Sequence, residues 1–264
     1  MRLLFIFVLS SGFASHLFAE KAPFIVVDFE ALKPVKVTRT MIEKTFGPLD
    51  WEKLSGRAVI KSEAAERCLE VSYPKGQFGS LKSGAQFVVQ LQESRYATLS
   101  YRFRVCEDFT FVKGGKLPGL SGGGSQFTGG RRPGSEGGWS ARYMWRREGA
   151  LELYLYHPKM KEKYGERHPL GLKLKRGKWY SITQKIDTGE PGKAQGILEV
   201  AVNGEVKLRL DRLEFHGSRF GPIDSFLFST FYGGADSSWA PGKEVEISFD
   251  DFEITWEKPA FSHN

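Results

Sequence analysis

The sequence has little cysteine and no long apolar segment beyond its first residues. Its two cysteines, Cys68 and Cys106, allow one disulfide but exclude the disulfide framework of a small secreted scaffold. Neither has a histidine arrangement nearby that would make it a nucleophile. No apolar run reaches the roughly 20 residues that a membrane-spanning helix needs. Since no Pro-rich, Ser-rich or charged linker divides the chain, we expect one domain over residues 20–264.

The N terminus has the composition of a secretory signal peptide. Arg2 gives a basic start, Leu3–Leu9 is apolar, and Ala19 is a small residue suited to cleavage. We therefore predict that residues 1–19 are removed and that the mature protein is periplasmic or secreted.

The chain is basic. Its 38 Lys and Arg against 31 Asp and Glu give a net charge of +7, which falls by one, to +6, if Arg2 is removed with the signal peptide. A basic surface attracts polyanions. Because the protein is predicted to be exported, an acidic polysaccharide is the expected partner of a monomer, rather than nucleic acid. Solubility alone would also account for a charge of this size.

Helical periodicity is scarce, whereas short apolar runs separated by turn residues recur along the chain. Thirty glycines and 21 phenylalanines are typical of an all-β protein. We predict a two-sheet antiparallel sandwich, with short helical or irregular links at Met41–Thr45 and Leu213–Phe215. The predicted strands are Phe24–Phe29, Ala58–Ile60, Cys68–Tyr73, Gly84–Leu91, Ala97–Val105, Trp139–Arg146, Leu151–His157, Trp179–Ile186, Ile197–Val202, Val206–Leu210, Ser225–Phe231 and Val245–Ile254.

One segment departs from this pattern. Residues Gly114 to Gly138 contain eleven glycines and read as a 25-residue connection. Such a long connection in a compact domain is usually functional. We expect it to form a lid or rim over a binding groove, with Lys116 entering the groove from above. The segment is not a phosphate-binding loop, because it lacks a Gly-Lys-Ser/Thr sequence and a following helix.

The two strands that follow are predicted to form a hairpin closed by residues 147–149. Its final glycine can adopt the left-handed conformation. This turn pairs Trp145 with Leu151 and places Arg142 opposite Tyr154. Because side chains alternate between faces, one face of the hairpin is apolar and belongs to the core. The other face carries Ser140, Arg142, Met144, Glu152, Tyr154 and Tyr156.

This polar face suits the elimination chemistry of a uronate polymer. Removal of the C5 proton leaves negative charge beside the carboxylate, which a cation or strong donor must stabilise. Arg142 or Lys116 could do so. A tyrosine near such cations could have a lowered pKa and act as the base, and a phenol could return a proton to O4. Ordinary cross-strand packing and sugar stacking in a lectin also use tyrosine and arginine.

Four motifs then carry a family resemblance. They are Lys113-Gly-Gly-Lys116-Leu-Pro-Gly-Leu120, Trp139-Ser-Ala-Arg142-Tyr-Met-Trp145, Tyr154-Leu-Tyr156 and Phe228-Ser-Thr-Phe-Tyr-Gly-Gly234. In this order they resemble polysaccharide lyase family 14, which includes alginate lyases. The resemblance extends from about Ala97 to Phe252. It implies a β-jelly roll with a substrate groove, and a catalytic cluster of Lys116, Ser140, Arg142, Tyr154 and Tyr156.

We assign roles to this cluster as hypotheses. Tyr154 or Tyr156 serves as base and acid, Arg142 and Lys116 neutralise the carboxylate, and Ser140 orients by hydrogen bonding. No cofactor is required. The expected substrate is mannuronate-rich alginate, with glucuronan as the alternative. Three further residues are predicted to bind substrate: Gln86, Glu152 and Ser229.

Three other interpretations of the sequence remain open. A non-catalytic carbohydrate-binding module would use the same tyrosines without chemistry. A glycoside hydrolase needs two carboxyl groups about 5–9 Å apart, and the obvious pair is Glu244 and Glu246. A structural calcium could lie where the termini meet, bound by carboxylates. Its candidate ligands are Asp28, Glu30, Asp250 and Asp251.

Overall fold

The computed structural model describes residues 24–63 and 66–262, which form two antiparallel β-sheets packed face to face. The predicted signal peptide, residues 1–19, lies outside the described residues. Two short helices accompany the sheets, α1 (Arg39–Phe46) and α2 (Gly79–Lys82). Neither of these helices is long and apolar enough to cross a membrane.

The larger sheet has nine strands in the described chain. These are β1 (Phe24–Val27), β2 (Val35–Lys36), β4 (Ala58–Glu63), β5 (Glu66–Tyr73), β7 (Tyr96–Val105), β12 (Trp179–Asp187), β13 (Gly196–Val202), β14 (Glu205–Leu213) and β16 (Val245–Thr255). Their spatial order is β14-β13-β12-β7-β16-β5-β4-β2, and β1 pairs with β16.

The smaller sheet has seven strands and carries the site described below. These are β3 (Leu49–Lys53), β6 (Ala85–Ser94), β8 (Gly114–Gly122), β9 (Trp139–Arg146), β10 (Ala150–Tyr156), β11 (Glu166–Lys173) and β15 (Ile223–Thr230). Their order is β11-β10-β9-β8-β15-β6-β3. Strands far apart in sequence therefore become neighbours, because β15 lies between β8 and β6.

The core lies between the two sheets and is rich in aromatic rings. Phe87 and Phe228 stack at 4.4 Å across the pair β6–β15, and Phe252 of the opposite sheet packs against Phe228 at 6.1 Å. Because alternate residues of each strand point to opposite faces, the intervening side chains of the seven-stranded sheet face away from this core. They are the ones available for a surface site.

The predicted all-β jelly-roll sandwich is confirmed, as is each of the twelve predicted strands in position, with ends shifted by a few residues. Of the two predicted links, Met41–Thr45 lies in helix α1, which Thr38 caps by accepting a hydrogen bond from the Met41 amide. The second, Leu213–Phe215, is irregular after the end of β14. The hairpin β13–β14 turns at Asn203 and Gly204, both with positive φ, because only such residues fit this two-residue turn.

The predicted 25-residue connection is wrong in its first third, since Gly114–Gly122 is strand β8. Its glycines have a packing cause that composition cannot reveal. A Cβ on Gly115 would lie 2.0 Å from the Trp145 ring, and one on Gly119 would lie 1.9 Å from the Ala141 carbonyl oxygen. Glycine is thus required where β8 contacts its neighbours closely. The true loop covers residues 123–138.

Both cysteines are free thiols, so the disulfide that the sequence allowed is not formed. Burial raises the pKa of the Cys106 thiol to about 12, which keeps it protonated and unreactive.

Candidate active site

An open groove of about 980 Å³ crosses the outward face of the seven-stranded sheet. Its floor comes from alternate residues of β6, β8, β9 and β10. Loop 123–138 forms one rim through Thr128 and Gly129, which confirms the predicted rim. Other walls come from α2 and from the segments around Tyr164 and Trp239.

The predicted hairpin of β9 and β10 is confirmed residue by residue. Trp145 pairs with Leu151, Arg142 with Tyr154, and Ser140 with Tyr156. The alternate residues of both strands are fully buried in the core, which fixes the register because a one-residue slip would exchange the two faces. Arg142 and Tyr154 therefore lie side by side on the groove floor.

Lys116 lies on the floor of the groove, not above it, because it belongs to β8, where it pairs with Met144. Its Nζ lies 2.8 Å from the Met144 sulfur and 3.2 Å from the centroid of the Tyr154 ring. Burial holds the pKa of Lys116 well below its usual value, and the charges of Arg142 and Arg146 add to this effect. The neutral amine, a proton acceptor, is therefore available at lower pH than in an exposed lysine.

Arg142 is held by a chain of polar side chains across three strands. Its Nη1 donates to the Ser229 hydroxyl at 3.1 Å, and Ser229 donates to Gln86 Oε1 at 3.0 Å. The Gln86 amide in turn donates to the Ser80 carbonyl on α2. Burial lowers the pKa of Arg142 to about 10. Of the predicted substrate-binding residues, Gln86 lines the groove, and Ser229 supports Arg142 from beneath.

Neither of these two basic side chains has a carboxylate partner. Lys116 is 8% and Arg142 4% exposed, yet within residues 24–63 and 66–262 no Asp or Glu forms an ion pair with either one. The cost of burying a charge is ordinarily offset by pairing. Arg142, a buried cation without a carboxylate partner beside the Lys116 amine, forms a site suited to the carboxylate of a ligand.

Glu152, predicted to bind substrate, has a different position. Its buried carboxylate pairs with Arg146 at 2.6 Å and with Arg167 of β11 at 2.8 Å. The two arginines line the groove, and Glu152 lies behind them. Glu152 therefore orients these two arginines.

The two tyrosines of the hairpin differ in their environments. The expectation that nearby cations lower the pKa of the tyrosine is wrong for Tyr154. Burial and the neighbouring Tyr156 raise its pKa, and the opposing effect of Arg142 is smaller. Tyr154 is therefore a protonated phenol, suited to donating a proton. The Tyr156 hydroxyl accepts a hydrogen bond of 3.0 Å from the Gly130 amide of the loop.

Ser140 shares the face of Arg142 but is fully buried beneath the loop. Its hydroxyl donates to the Phe127 carbonyl at 2.7 Å. Phe127 itself packs with Met144, Tyr154 and Tyr156. Ser140 thus fixes the position of the loop over the tyrosines, and it does not line the groove.

Several groove residues were missed by the sequence analysis. Arg146 continues the alternation of Ser140 and Arg142, so period two could have identified it. Arg167 lies opposite Tyr154, but β11 was not predicted because Pro169 and Gly171 interrupt its pattern. Tyr164 and Trp239 also line the groove, and no local signal marked them. Met144, which the sequence analysis placed on this face of the hairpin, lines it as well.

The carboxylates that the sequence suggested as calcium ligands do not come together in one site. The termini do pair through β1 and β16, but Glu30 accepts from the Arg67 amide, and Asp251 pairs with Arg102 at 2.7 Å. Asp28 accepts from the Glu30 amide, and Asp250 also pairs with Arg102. In the described part of the chain, no three His, Cys, Asp or Glu residues form a group that could hold a metal ion.

Comparison with known proteins was made for both sequence and fold. The family model for polysaccharide lyase 14 matches residues 61–252. No curated protein sequence matches the chain.

Three solved structures illustrate the fold similarity. Alginate lyase Aly36B is 19% identical, with a TM-score of 0.79 over 90% of this chain and 98% of that one. The marine PL-14 alginate lyase from Aplysia kurodai is 25% identical, with a TM-score of 0.75 over 89% and 99%. Alginate lyase vAL-1 from Chlorella virus is 20% identical, with a TM-score of 0.68 over 86% and 99%.

Proposed function

The chain belongs to the polysaccharide lyase 14 family, and from this we propose that it cleaves mannuronate-rich alginate by β-elimination. Membership makes it a polysaccharide lyase, which excludes the purely binding module. The names of the similar structures, alginate lyases in each case, support alginate as the polymer.

The observation that carries this proposal is the pair of buried basic side chains, Lys116 and Arg142, neither of which has a carboxylate partner. β-Elimination removes the proton on C5 of a uronate, and the electrons spread onto the adjacent carboxylate. Arg142, fixed by Ser229, is placed to receive that carboxylate as its charge grows. A preorganised donor of this kind stabilises the transition state more than the ground state.

The proton movements follow from the protonation states of Lys116 and Tyr154. We assign the neutral amine of Lys116 as the acceptor of the C5 proton. The C5–H electrons form the C4–C5 double bond as the C4–O4 bond breaks, and the Tyr154 phenol donates its proton to O4. This replaces the role of base that the sequence analysis gave to a tyrosine, because burial raises the pKa of Tyr154 and lowers that of Lys116.

The arrangement of acceptor and donor supports mannuronate over guluronate. In mannuronate and glucuronate the C5 hydrogen and O4 lie on the same side of the sugar ring. In guluronate they lie on opposite sides. The Lys116 amine sits directly against the Tyr154 ring, so both groups reach the substrate from one side. Glucuronan meets the same geometric requirement and is the alternative substrate.

The groove is less suited to glycoside hydrolysis than to β-elimination. The pair Glu244 and Glu246 lies at the start of β16, in the other sheet. Behind the groove wall, Glu152 is already paired with two arginines. Two free carboxyl groups flanking one bond, which hydrolysis needs, are not found on the groove floor among the described residues.

The test is the appearance of the ultraviolet absorbance of the C4–C5 double bond. Purified protein is incubated separately with polymannuronate, polyguluronate and glucuronan. We expect absorbance to rise with polymannuronate, to be lost in Tyr154→Phe, and to persist in Tyr96→Phe, which changes a tyrosine of the other sheet. A faster rise with glucuronan would identify glucuronan as the preferred substrate. No rise with any polymer would refute the proposed function.

A further inference from the structure

A second cavity of about 170 Å³ opens from the main groove toward the edge strand β3. It shares Ser80, Gln86, Thr128 and Arg142 with the main groove. The two spaces are therefore continuous. The residues that only the second cavity has are Trp51, Lys53, Ser125 and Leu227.

The second cavity brings Trp51 and Lys53 of β3 together. Lys53 lies opposite Gln86, whose side chain lines the main groove. Trp51 lies where the pairing of β3 with β6 shifts its register, between Leu49 and Glu52, and its ring lines the same cavity as Lys53. The side chain between them, Glu52, instead accepts a hydrogen bond from the Leu54 amide. An aromatic ring and an ammonium group are thus presented together at the end of the groove.

The ring of Trp51 is held in place. Its indole N–H donates to the Ser125 hydroxyl of loop 123–138 at 2.8 Å, which joins the edge strand to the rim of the groove. Lys53 lies beside it, with Nζ 5.4 Å from the centre of the Trp51 ring. Among the described residues, no Asp or Glu forms an ion pair with Lys53. The ammonium group is therefore available to an anion that stacks on the ring.

We propose that Trp51 and Lys53 form a distal uronate-binding subsite, with a sugar ring on the indole and its carboxylate on the ammonium. This inference rests on the proposed function. In the order β10-β9-β8-β15-β6-β3, five inter-strand steps of about 4.8 Å put the backbones of β10 and β3 about 24 Å apart, and neither Lys116 nor Tyr154 lines the second cavity. A sugar on Trp51 is therefore a different unit from the one that Lys116 and Tyr154 act on, and the subsite recognises chain length.

Mannuronate oligomers of increasing length test the subsite. The variants are Trp51→Ala and Lys53→Gln, with Lys36→Gln on β2 of the other sheet as the charge-matched control. In the wild type, kcat/KM should rise with length until the distal subsite is filled. We expect Trp51→Ala to lower kcat/KM on long oligomers about tenfold and Lys53→Gln about fivefold.

In both variants the lower kcat/KM should come from a higher KM. The effect should be confined to long oligomers, because short ones cannot reach β3. Lys36→Gln should behave as the wild type at every length. An equal loss at all lengths would mean a structural effect on the catalytic centre, and an unchanged length profile would mean that no sugar binds there. Either result overturns the subsite.

A binding measurement distinguishes failure of the subsite from failure of the proposed function. Calorimetry with a long mannuronate oligomer is carried out in the Tyr154→Phe background, with and without Lys53→Gln. If the wild type cleaves no uronate polymer, the proposed function fails, but weaker binding in Lys53→Gln would still support the subsite. Equal affinities, or no binding in either protein, would refute it.

Discussion

The side-chain nitrogen of Lys116 lies on the face of the Tyr154 ring, 3.2 Å from its centroid, on a groove floor where neither group contacts a carboxylate. The same burial acts in opposite directions on the two groups, because it disfavours the charged form of each. It lowers the pKa of the amine and raises that of the phenol. A base in its neutral form and an acid in its neutral form therefore stand side by side.

The pH dependence of cleavage should reflect Lys116. Since the neutral amine is the acceptor, kcat/KM should rise as pH increases through the lowered pKa of Lys116, well below the ordinary lysine value of 10.5. Tyr154 should impose no alkaline limb near the ordinary tyrosine value of 10.0, because its pKa is raised. A pH–rate profile checks both limbs. Side-chain NMR that showed Lys116 titrating as an exposed lysine would contradict the assignment.

Replacing the buried amine of Lys116 by an apolar side chain should stabilise the protein, because burial lowers the pKa of this amine below its value in the unfolded chain. The folded state binds fewer protons than the unfolded state between the lowered pKa and the ordinary one, so stability rises with pH in that window. We expect Lys116→Met to abolish turnover and raise the free energy of unfolding at neutral pH by about 1–3 kcal/mol. Urea denaturation measures this. A destabilised variant would mean that the ammonium has a partner in the folded protein.

Arg142→Ala should lower kcat about 100-fold or more, because it removes a preorganised donor to the developing charge. The matched control is Arg147→Ala, which removes an exposed arginine from the turn of the same hairpin. Steady-state kinetics on polymannuronate compares the two. Turnover of Arg142→Ala within severalfold of the wild type would exclude Arg142 as the stabilising group.

Ser140→Ala should act through the loop. Loss of its hydrogen bond to the Phe127 carbonyl should cost about 1 kcal/mol of stability and make loop 123–138 more sensitive to limited proteolysis. We expect a moderate loss of kcat/KM. If kcat instead falls as far as in Arg142→Ala while the loop stays protected, Ser140 takes part in the chemistry directly.

Glu152→Gln should destabilise the groove wall by about 3 kcal/mol, because it leaves Arg146 and Arg167 without their buried counter-charge. The exposed carboxylate Glu148, in the turn between the same strands, provides the control Glu148→Gln. Thermal or urea unfolding of both variants checks the difference. Similar stabilities would show that solvent already screens the Glu152 pairs.

The sequence was most informative where structure depends on near neighbours. The β9–β10 register followed from alternation and a turn ending in Gly149, and it placed Arg142 and Tyr154 together correctly. The prediction from sequence failed at β8. Its glycines are required by close contacts with Trp145 and Ala141, which only the folded sheet brings near them. The edge position of Trp51 and Lys53 was missed because β3 is short and its partner β6 lies more than thirty residues later in the printed sequence.

The chain of contacts from Arg142 through Ser229 to Gln86 also has a consequence for when activity can arise during folding. Ser229 and Gln86 are 143 residues apart in sequence, and β15 must insert between β6 and β8 before either contact exists. Closing such long loops is slow compared with forming the β9–β10 hairpin. A partly synthesised or partly folded chain would hold the hairpin but leave Arg142 unsupported. Catalytic competence should therefore emerge late, together with closure of the sheet.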